Sequence, residues 1–331
     1  MIKKKIIKLV LGLVLGTIFL SGCAGNSGSN SNGSESEKTF EIGISQLAEH
    51  PALDDARLGF EDGLEELGIN AKIDFKNAQG DIPTSNTIAE KFSKDDVDLI
   101  YTIATPAVQA AKQTTDSIPI LFSAVTDPIE AGLVSSEGDS DSNITGTSDE
   151  APIERQLKLF KELDPSIEKI GIVFNTSEPN SEVQVKRAKE IAPEFDLEIV
   201  ESGISNINDL PQTMDSLIKN VDALYTIADN MVASGINIIS EKALENKMVT
   251  VGAEDAHVKG GILITDGLRY YELGKQTASM AKKILVDGES PSSISFEKAK
   301  NTTKVFNEKT MDTLGIDIKN EAFKDAEKFN D

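Results

Sequence analysis

The sequence predicts an α/β protein built from two Rossmann-like lobes that are joined by a hinge of three chain segments. From Thr39 onward, short apolar runs alternate with amphipathic helical stretches, as in parallel sheets with helices on both faces. The series then recurs, because Ile-Gly-Ile at 42–44 returns at 170–172 and Tyr-Thr-Ile-Ala at 101–104 returns at 225–228. This internal repeat indicates two lobes of one topology.

The first lobe is predicted to contain four strand–helix units. A strand at 40–45 precedes a helix from about 52 to 67, whose Leu53 and Phe60 share one face and whose stop signal is Gly68. The remaining elements are strands at 71–75, 99–104 and 120–124 and helices at 85–93 and 106–114.

The second lobe is predicted to repeat this order, and the polar, glycine-containing segment 141–149 is predicted to cross between the lobes. A strand at 260–265 and a helix at 270–286 are expected to return to the first lobe, and a strand at 303–306 with a last helix to the second. The predicted division is 39–146 plus about 258–288 for lobe 1, and 147–257 plus about 289–331 for lobe 2.

The amino terminus has the pattern of a secretory signal. Residues 1–22 combine a lysine-rich start with an apolar run that is shorter than a membrane span, and small residues follow this run. Leu-Ser-Gly-Cys at 20–23 resembles the lipobox of bacterial lipoproteins, which implies lipidation of Cys23 and a position on the extracellular face of the cell membrane. Residues 23–38 are predicted to be a flexible linker. The alternative is a secreted protein with a free thiol.

Composition excludes several classes of function. The net charge of −22 argues against a nucleic-acid partner, and a single cysteine excludes a disulfide within the chain. No Gly-x-Gly-x-x-Gly follows a predicted strand and no Gly-x-Ser-x-Gly occurs, so we expect neither an enzyme nor a bound cofactor. Nothing in the sequence requires an oligomer, and a monomer is expected.

Four segments resemble the type I solute-binding proteins of ABC importers. They are Ile-Ser-Gln-Leu-Ala-Glu-His-Pro-Ala-Leu-Asp at 44–54 followed by Gly-Phe at 59–60, Thr-Pro-Ala-Val-Gln-Ala at 105–110, Ile-Leu-Phe-Ser-Ala-Val-Thr-Asp-Pro at 120–128, and Asn-Ile-Thr-Gly-Thr-Ser at 143–148. Within that group, the chain resembles lipoproteins that bind aromatic amino acids, tryptophan in particular.

This resemblance implies a type I periplasmic-binding-protein fold and the extracellular capture of an amino acid between the lobes. It also implies delivery of that amino acid to an ABC permease and its ATPase. Two alternatives stay open. The first is a receptor for another small ligand, such as a sugar or a nucleoside, and the second is a ligand-sensing surface lipoprotein that is not coupled to transport.

The ligand is expected at loops that follow strands, because open parallel sheets bind ligands beyond the carboxyl ends of their strands. Thr105 and Pro106 start a helix and are expected to hold a carboxylate, together with Thr126. In related branched-chain amino-acid receptors an acid of the second lobe holds the ammonium, and Asp229 and Glu254 are candidates here. The full candidate set is Gln46, Glu49, His50, Thr105, Pro106, Ala124, Thr126, Asp127, Ser148, Asn175, Ser177, Asn180, Asp229, Asn230, Glu254 and Asp255. Residues 147–149 of the crossing are expected to line the rest of the cleft.

Structural roles compete with these assignments. Thr105 is also a typical helix N-cap, and Asp229 lies in an Ala-Asp-Asn sequence that suits an Asx cap. Glu49 and His50 are competent metal ligands, but His257 is the one other histidine of the sequence, so no metal site is expected.

Overall fold

The two lobes are visible in a computed structural model, which describes residues 38–135 and 143–329. The predicted signal peptide, Cys23 and all but the last residue of the predicted linker lie outside the described residues. None of the helices in the described part is long and apolar enough to cross a membrane.

Strands occur in both halves of the described chain. In chain order they are β1 (Phe40–Gln46), β2 (Ala71–Asn77), β3 (Leu99–Ile103), β4 (Ile120–Val125), β5 (Ile144–Ser148), β6 (Lys169–Asn175), β7 (Glu198–Ile204), β8 (Ala223–Thr226), β9 (Val249–Glu254), β10 (Ile264–Leu268), β11 (Glu297–Lys298), β12 (Thr303–Phe306) and β13 (Glu327–Lys328).

Helices connect most of these strands. They are α1 (Pro51–Glu66), α2 (Ile82–Asp95), α3 (Thr105–Lys112), α4 (Ile153–Leu163), α5 (Pro179–Ile191), α6 (Leu210–Leu217), α7 (Asn230–Ser234), α8 (Ile236–Glu245), α9 (Asp255–Lys259), α10 (Tyr270–Leu285) and α11 (Glu308–Leu314). Side-chain caps start three of them, α2, α7 and α11. The Asp81 carboxylate caps α2 by accepting a hydrogen bond from the Thr84 N–H at 2.9 Å, for example.

The strands form two sheets of closely related topology. The first has the order β11-β5-β4-β3-β1-β2 and is parallel throughout. The second has the order β13-β12-β10-β9-β8-β6-β7 and is parallel except where β12 runs against β10. The first five strands of each lobe thus share the order 2-1-3-4-5, which confirms the predicted α/β fold with two Rossmann-like lobes.

Each sheet is covered by apolar side chains on both faces. Tyr101 and Tyr225, which are centrally placed on β3 and β8, are fully buried in these cores, where Tyr101 stacks on Phe60 with ring centroids 3.9 Å apart. Burial on both faces is what makes the strand segments continuous apolar runs in the sequence.

The predicted division of the chain between the lobes was wrong in three places. The strand predicted at 260–265 lies at Ile264–Leu268 and pairs with β9 and β12 in the second sheet, not in the first. Conversely, β11 pairs with β5 and belongs to the first sheet, and β5 extends the first lobe to Ser148. Apolar periodicity identifies a strand but carries no information about its sheet, so these memberships depend on pairing partners far away in sequence.

Helix α10 does return to the first lobe, where it packs closely against α1. A Cβ added at Gly274 would lie 2.0 Å from the Ala56 carbonyl oxygen, and one at Gly59 would lie 2.0 Å from that of Tyr271. The chain therefore passes between the lobes three times, at 149–152, at Arg269 and at 299–302.

Candidate functional site

The loops at the carboxyl ends of both sheets enclose one cavity between the lobes. It contains about 270 Å³ of empty space, which includes solvent at its opening, and has room for roughly one water molecule. Its lining consists of His50, Leu53, Ala124, Thr126, Asp149, Asn180, Ala228, Asp229, Asn230, Ala233, Glu254 and Tyr270. Parallel α/β sheets bind ligands at this position.

A larger groove of about 1,220 Å³ of empty space lies on the surface, between α1, α10 and residues 299–303. Its charged side chains are accessible to solvent and form ion pairs, such as Lys275 with Glu66 at 2.7 Å and Arg269 with Glu327. Exposed ion pairs of this kind contribute little free energy, and none of the candidate residues lines this groove.

Seven of the sixteen residues in the candidate set line the interlobe cavity, namely His50, Ala124, Thr126, Asn180, Asp229, Asn230 and Glu254. Asp149, which was predicted as a lining residue with the crossing at 147–149, lines it as well. The seven lie at the carboxyl ends of strands, in the loops that follow them or in the first turn of the next helix, where parallel α/β sheets bind ligands.

Other predicted residues are near the cavity but are occupied with structural contacts. The side-chain amide of Gln46 donates to the Ala48 carbonyl oxygen at 2.7 Å and to Asp54 at 2.8 Å. Ser148 donates to the Thr126 carbonyl oxygen at 3.1 Å. Asn175 joins two parts of its own loop, because its amide donates to Glu178 and its side-chain oxygen accepts from the Ser177 N–H.

The remaining predicted residues lie elsewhere. Glu49 and Ser177 are exposed, and Asp255 is half-buried outside the cavity lining. Thr105 and Pro106 start α3 and are buried, but the cavity lies over the ends of β1 and β4, which flank β3, and neither residue lines it. The Thr105 hydroxyl has no partner among the described residues.

Asp127 contributes to contacts between the lobes. Arg187 of α5 pairs with Asp127, which follows β4 in the first lobe, and also with Glu150 of the first crossing at 3.2 Å. Lys259 of α9 pairs with Asp55 of α1 at 2.9 Å. These pairs join the two lobes.

Asp149 and Tyr270, on two of the crossing segments, meet at the cavity. The Tyr270 hydroxyl donates to Asp149 Oδ2 at 2.5 Å, whereas Asp149 Oδ1 has no partner among the described residues. Tyr270 also lies within hydrogen-bonding reach of Glu254. Burial raises the pKa of both carboxyl groups, that of Glu254 to about 8 with help from the charge on Asp149. Because the charge on Asp149 is one of the causes that raise the pKa of Glu254, Asp149 loses its proton before Glu254 does, and Glu254 keeps its proton at neutral pH.

The second lobe contains a second pair of buried acids. Asp229 is fully engaged, since its carboxylate accepts from the N–H groups of Val232 at 2.8 Å and Asn175 at 2.6 Å and from the Ser181 hydroxyl at 2.7 Å. Its neighbour Glu178 accepts from the side-chain amides of Asn175 and Asn230, and burial together with the charge on Asp229 raises the pKa of Glu178 to about 7. Asp229 therefore acts as an N-cap and loop anchor in this structure.

His50 connects the two lobes across the cavity. Its Nε2 lies 3.1 Å from Asn230 Oδ1, whose amide nitrogen in turn donates to Glu178. Burial lowers the pKa of His50, so the ring is neutral and Nε2 carries the hydrogen. His50 Nδ1 is then an acceptor, and it has no partner within the described residues.

Helix α1 begins at the cavity with free backbone donors. His50 is its N-cap residue and makes no side-chain capping bond, and Pro51 has no N–H to offer. The N–H groups of Ala52 and Leu53 have no acceptor within the helix, and His50 and Leu53 line the cavity. A 16-residue helix thus presents its positive end to the site.

Sequence reasoning missed Leu53, Glu178 and Tyr270. Glu178 follows β6 in the same loop as Asn175 and Ser177, so the rule that selected those two also applies to it. Tyr270 was missed because the strand was predicted to end at residue 265. Since β10 ends at Leu268, Tyr270 is one of the residues that follow this strand. Within the described residues, no group of three metal-binding side chains occurs.

Comparison with known proteins agrees with this geometry. The sequence model of the family described as ABC transporter substrate binding protein matches residues 41–330. A tyrosine-binding protein of Clostridioides difficile is 43% identical over 95% of this chain and 93% of its own.

Two solved structures show how the lobes are arranged. An ABC domain of Streptococcus pneumonia in complex with L-Trp is 32% identical, covers 87% of this chain and 99% of its own, and superposes with a TM-score of 0.83. A ligand-free, open substrate-binding protein with adhesive properties from Clostridium difficile is 42% identical over 88% of this chain and 100% of its own, yet its TM-score is 0.67. The lobes here are thus arranged more like those of the tryptophan complex than those of the open form.

The family match extends over both lobes and over every residue that lines the cavity. The chain belongs to the family of ABC transporter substrate-binding proteins, which bind their ligands and are not enzymes.

Proposed function

We propose that this protein is a lipid-anchored receptor that captures an aromatic amino acid, tyrosine or tryptophan, between its lobes and delivers it to an ABC permease. The observation that carries the proposal is the polarity of the cavity. A buried carboxylate with a free oxygen, Asp149, and a helix N-terminus without a side-chain cap line the same small space. Such a site is complementary to an amino-acid zwitterion.

The ammonium of the ligand is bound by Asp149. Asp149 is 3% exposed, and Tyr270 holds its carboxylate in place through the other oxygen. The side-chain oxygen of Asn180 is also buried without a partner among the described residues and lines the same cavity. An ammonium group bridges these two acceptors, and an ionised acceptor makes the stronger bond.

The carboxylate of the ligand is bound at the start of α1. The N–H groups of Ala52 and Leu53 donate to it, and the positive end of the helix stabilises its charge. Asp149 lies on a crossing segment and Asn180 in the second lobe, so a single zwitterion joins both lobes. The ligand thereby favours the closed arrangement.

The side chain of the ligand occupies the apolar part of the lining. Ala124, Ala228 and Ala233 are small, and with Leu53 they form the apolar part of the lining. An aromatic ring can pack against these apolar residues. The tyrosine-binding relative and the tryptophan-bound structure support this ligand class.

A thermal-shift experiment with the twenty amino acids, a set of sugars and a set of nucleosides tests the ligand class. A ligand that binds the folded state raises the melting temperature. We expect the largest rise with tyrosine or tryptophan. A sugar or nucleoside that raises it more would refute the amino-acid assignment.

The anchor and the delivery step are tested separately. Cys23→Ala should abolish labelling of the protein by radioactive palmitate, because the thiol that carries the lipid is lost. A variant that is still labelled would refute lipidation at Cys23. Uptake of labelled tyrosine and tryptophan by cells without the gene should fall, and unchanged uptake of both would argue for a sensing role.

A further inference from the structure

Glu254 is a polar group of the cavity that the zwitterion does not use. It ends β9 in the second lobe, is 2% exposed and lines the cavity. Its Oε1 has no hydrogen-bond partner among the described residues. Nε2 of His257 lies 3.3 Å from Oε1, and His257 does not itself line the cavity.

Glu254 is suited to a neutral hydrogen-bonding role. Burial and the nearby charge of Asp149 keep its carboxyl group protonated at neutral pH, since they raise its pKa to about 8. Burial lowers the pKa of His257 to about 3, so Glu254 and His257 do not form an ion pair. A neutral carboxyl group does not balance an ammonium charge. It has one O–H donor, for which the Tyr270 oxygen is within reach, and one carbonyl oxygen that accepts a hydrogen bond.

The count of acceptors supports a second donor on the ligand. Asp149 Oδ1, Asn180 Oδ1 and His50 Nδ1 are buried acceptors on the cavity without partners in the described part of the chain. An ammonium group has three N–H donors, which these three atoms satisfy. Glu254 Oε1 is a fourth acceptor, and leaving it unpaired in a closed site is unfavourable.

We propose that Glu254 accepts a hydrogen bond from the polar hydrogen on the ligand's aromatic ring, and so selects tyrosine and tryptophan over phenylalanine. This inference rests on the proposed function, because it assumes an aromatic amino acid in the cavity. Phenylalanine fills the same apolar space but leaves Glu254 unsatisfied. A site built to bond a hydroxyl discriminates strongly against the analogue that lacks it.

Isothermal titration calorimetry on the wild-type protein provides the first test. L-Tyrosine should bind at least about tenfold more tightly than L-phenylalanine and 4-fluoro-L-phenylalanine, which lack a ring donor. 4-Amino-L-phenylalanine, whose ring amine donates, should bind nearer to tyrosine than to phenylalanine. Equal affinities for all four would overturn the inference but leave the proposed function intact, whereas binding of no aromatic amino acid would refute both.

Two variants separate a neutral role from an ionic one. Glu254→Met removes both oxygens at similar size and should reduce the tyrosine-to-phenylalanine affinity ratio to less than about threefold. Glu254→Gln keeps a carbonyl oxygen and should hold the ratio within about threefold of the wild-type value. Glu90→Gln, at an exposed position on α2, is the matched control.

The variants can also contradict the inference directly. An unchanged ratio in Glu254→Met would show that this side chain does not contact the ring. A loss of more than about thirtyfold for tyrosine and phenylalanine alike in Glu254→Gln would show that Glu254 holds the ammonium as an ion. The ligand series on the wild-type protein decides the question if Glu254→Met does not fold.

Discussion

Replacing Asp149 by asparagine removes the charge that we assign to the ligand's ammonium and preserves the size of the side chain. In the ligand-free protein this charge is buried and opposed by desolvation, which raises the pKa of Asp149. We therefore expect Asp149→Asn to leave the free energy of unfolding unchanged or to increase it. The loss should appear in ligand binding alone.

The size of that loss follows from the environment of Asp149. Its carboxylate is 3% exposed, and Oδ1 has no partner within the described residues, so the ammonium would be its main ionic partner. Removing one partner of a buried, hydrogen-bonded charge pair weakens binding by about 2 to 5 kcal/mol. At about 3 kcal/mol the dissociation constant rises roughly 150-fold.

Asp229→Asn is the matched control, because Asp229 is the other candidate for the ammonium. Its carboxylate already accepts three hydrogen bonds, from Asn175, Ser181 and Val232. An amide group in its place has an NH₂ donor that would face at least one of these three donors and could not bond to it. The free energy of unfolding should therefore fall by about 1 to 3 kcal/mol. The affinity of the folded protein for the ligand should change less.

Calorimetric titration with L-tyrosine and denaturant unfolding of the ligand-free protein measure the two effects separately. Tyrosine binding by Asp149→Asn within about threefold of the wild type would refute the assignment of the ammonium to Asp149. Loss of binding without loss of stability in Asp229→Asn would also refute it, since Asp229 would then hold the ammonium.

Three further predictions concern closure, pH and packing. Arg187→Gln removes the ion pair to Asp127 across the lobes and should weaken ligand binding about threefold to tenfold at low salt. The loss should be smaller at 1 M salt, because salt screens the pair. An equal loss of affinity in titrations at both salt concentrations would contradict a role for the ion pair. Because the folded state raises the pKa of Glu254 from 4.5 to about 8, the wild type should lose stability relative to Glu254→Gln as pH rises from 5 to 8, by up to about 1.4 kcal/mol per pH unit. Denaturant unfolding with a constant difference at these two pH values would show that Glu254 is not buried as described. Gly274→Ala should lower the melting temperature, because the added Cβ would lie 2.0 Å from the Ala56 carbonyl oxygen. The higher helix propensity of alanine would by itself raise the melting temperature, so a rise would show that α1 and α10 move apart at no cost in stability.

The fold was largely predictable because its signals are local. Each buried strand is a short apolar run, and each long helix carries an apolar face. The start of α1 at Pro51 and the strand at Thr303–Phe306 were accordingly placed within a residue or two. Sheet membership was not predictable in this way, since the partners of β10 and β11 are chosen by packing between distant segments.

The site was predictable in position but less so in chemistry. The rule that ligands lie beyond the carboxyl ends of strands found His50, Asn180 and Glu254, because it depends on topology. It could not distinguish Asp229, whose oxygens are occupied by backbone N–H groups, from Asp149, which has one oxygen free. That distinction depends on hydrogen bonds formed only in the folded chain.

The central claim is that the cavity holds an amino-acid zwitterion by both of its charges. Calorimetric titration of the protein with L-tyrosine, tyramine and 3-(4-hydroxyphenyl)propionate tests it directly, since the two analogues lack the carboxylate and the ammonium respectively. We predict that tyrosine binds and that each analogue binds at least about a hundredfold more weakly. An analogue that binds as tightly as tyrosine would show that the charge it lacks is not recognised, and would contradict the account.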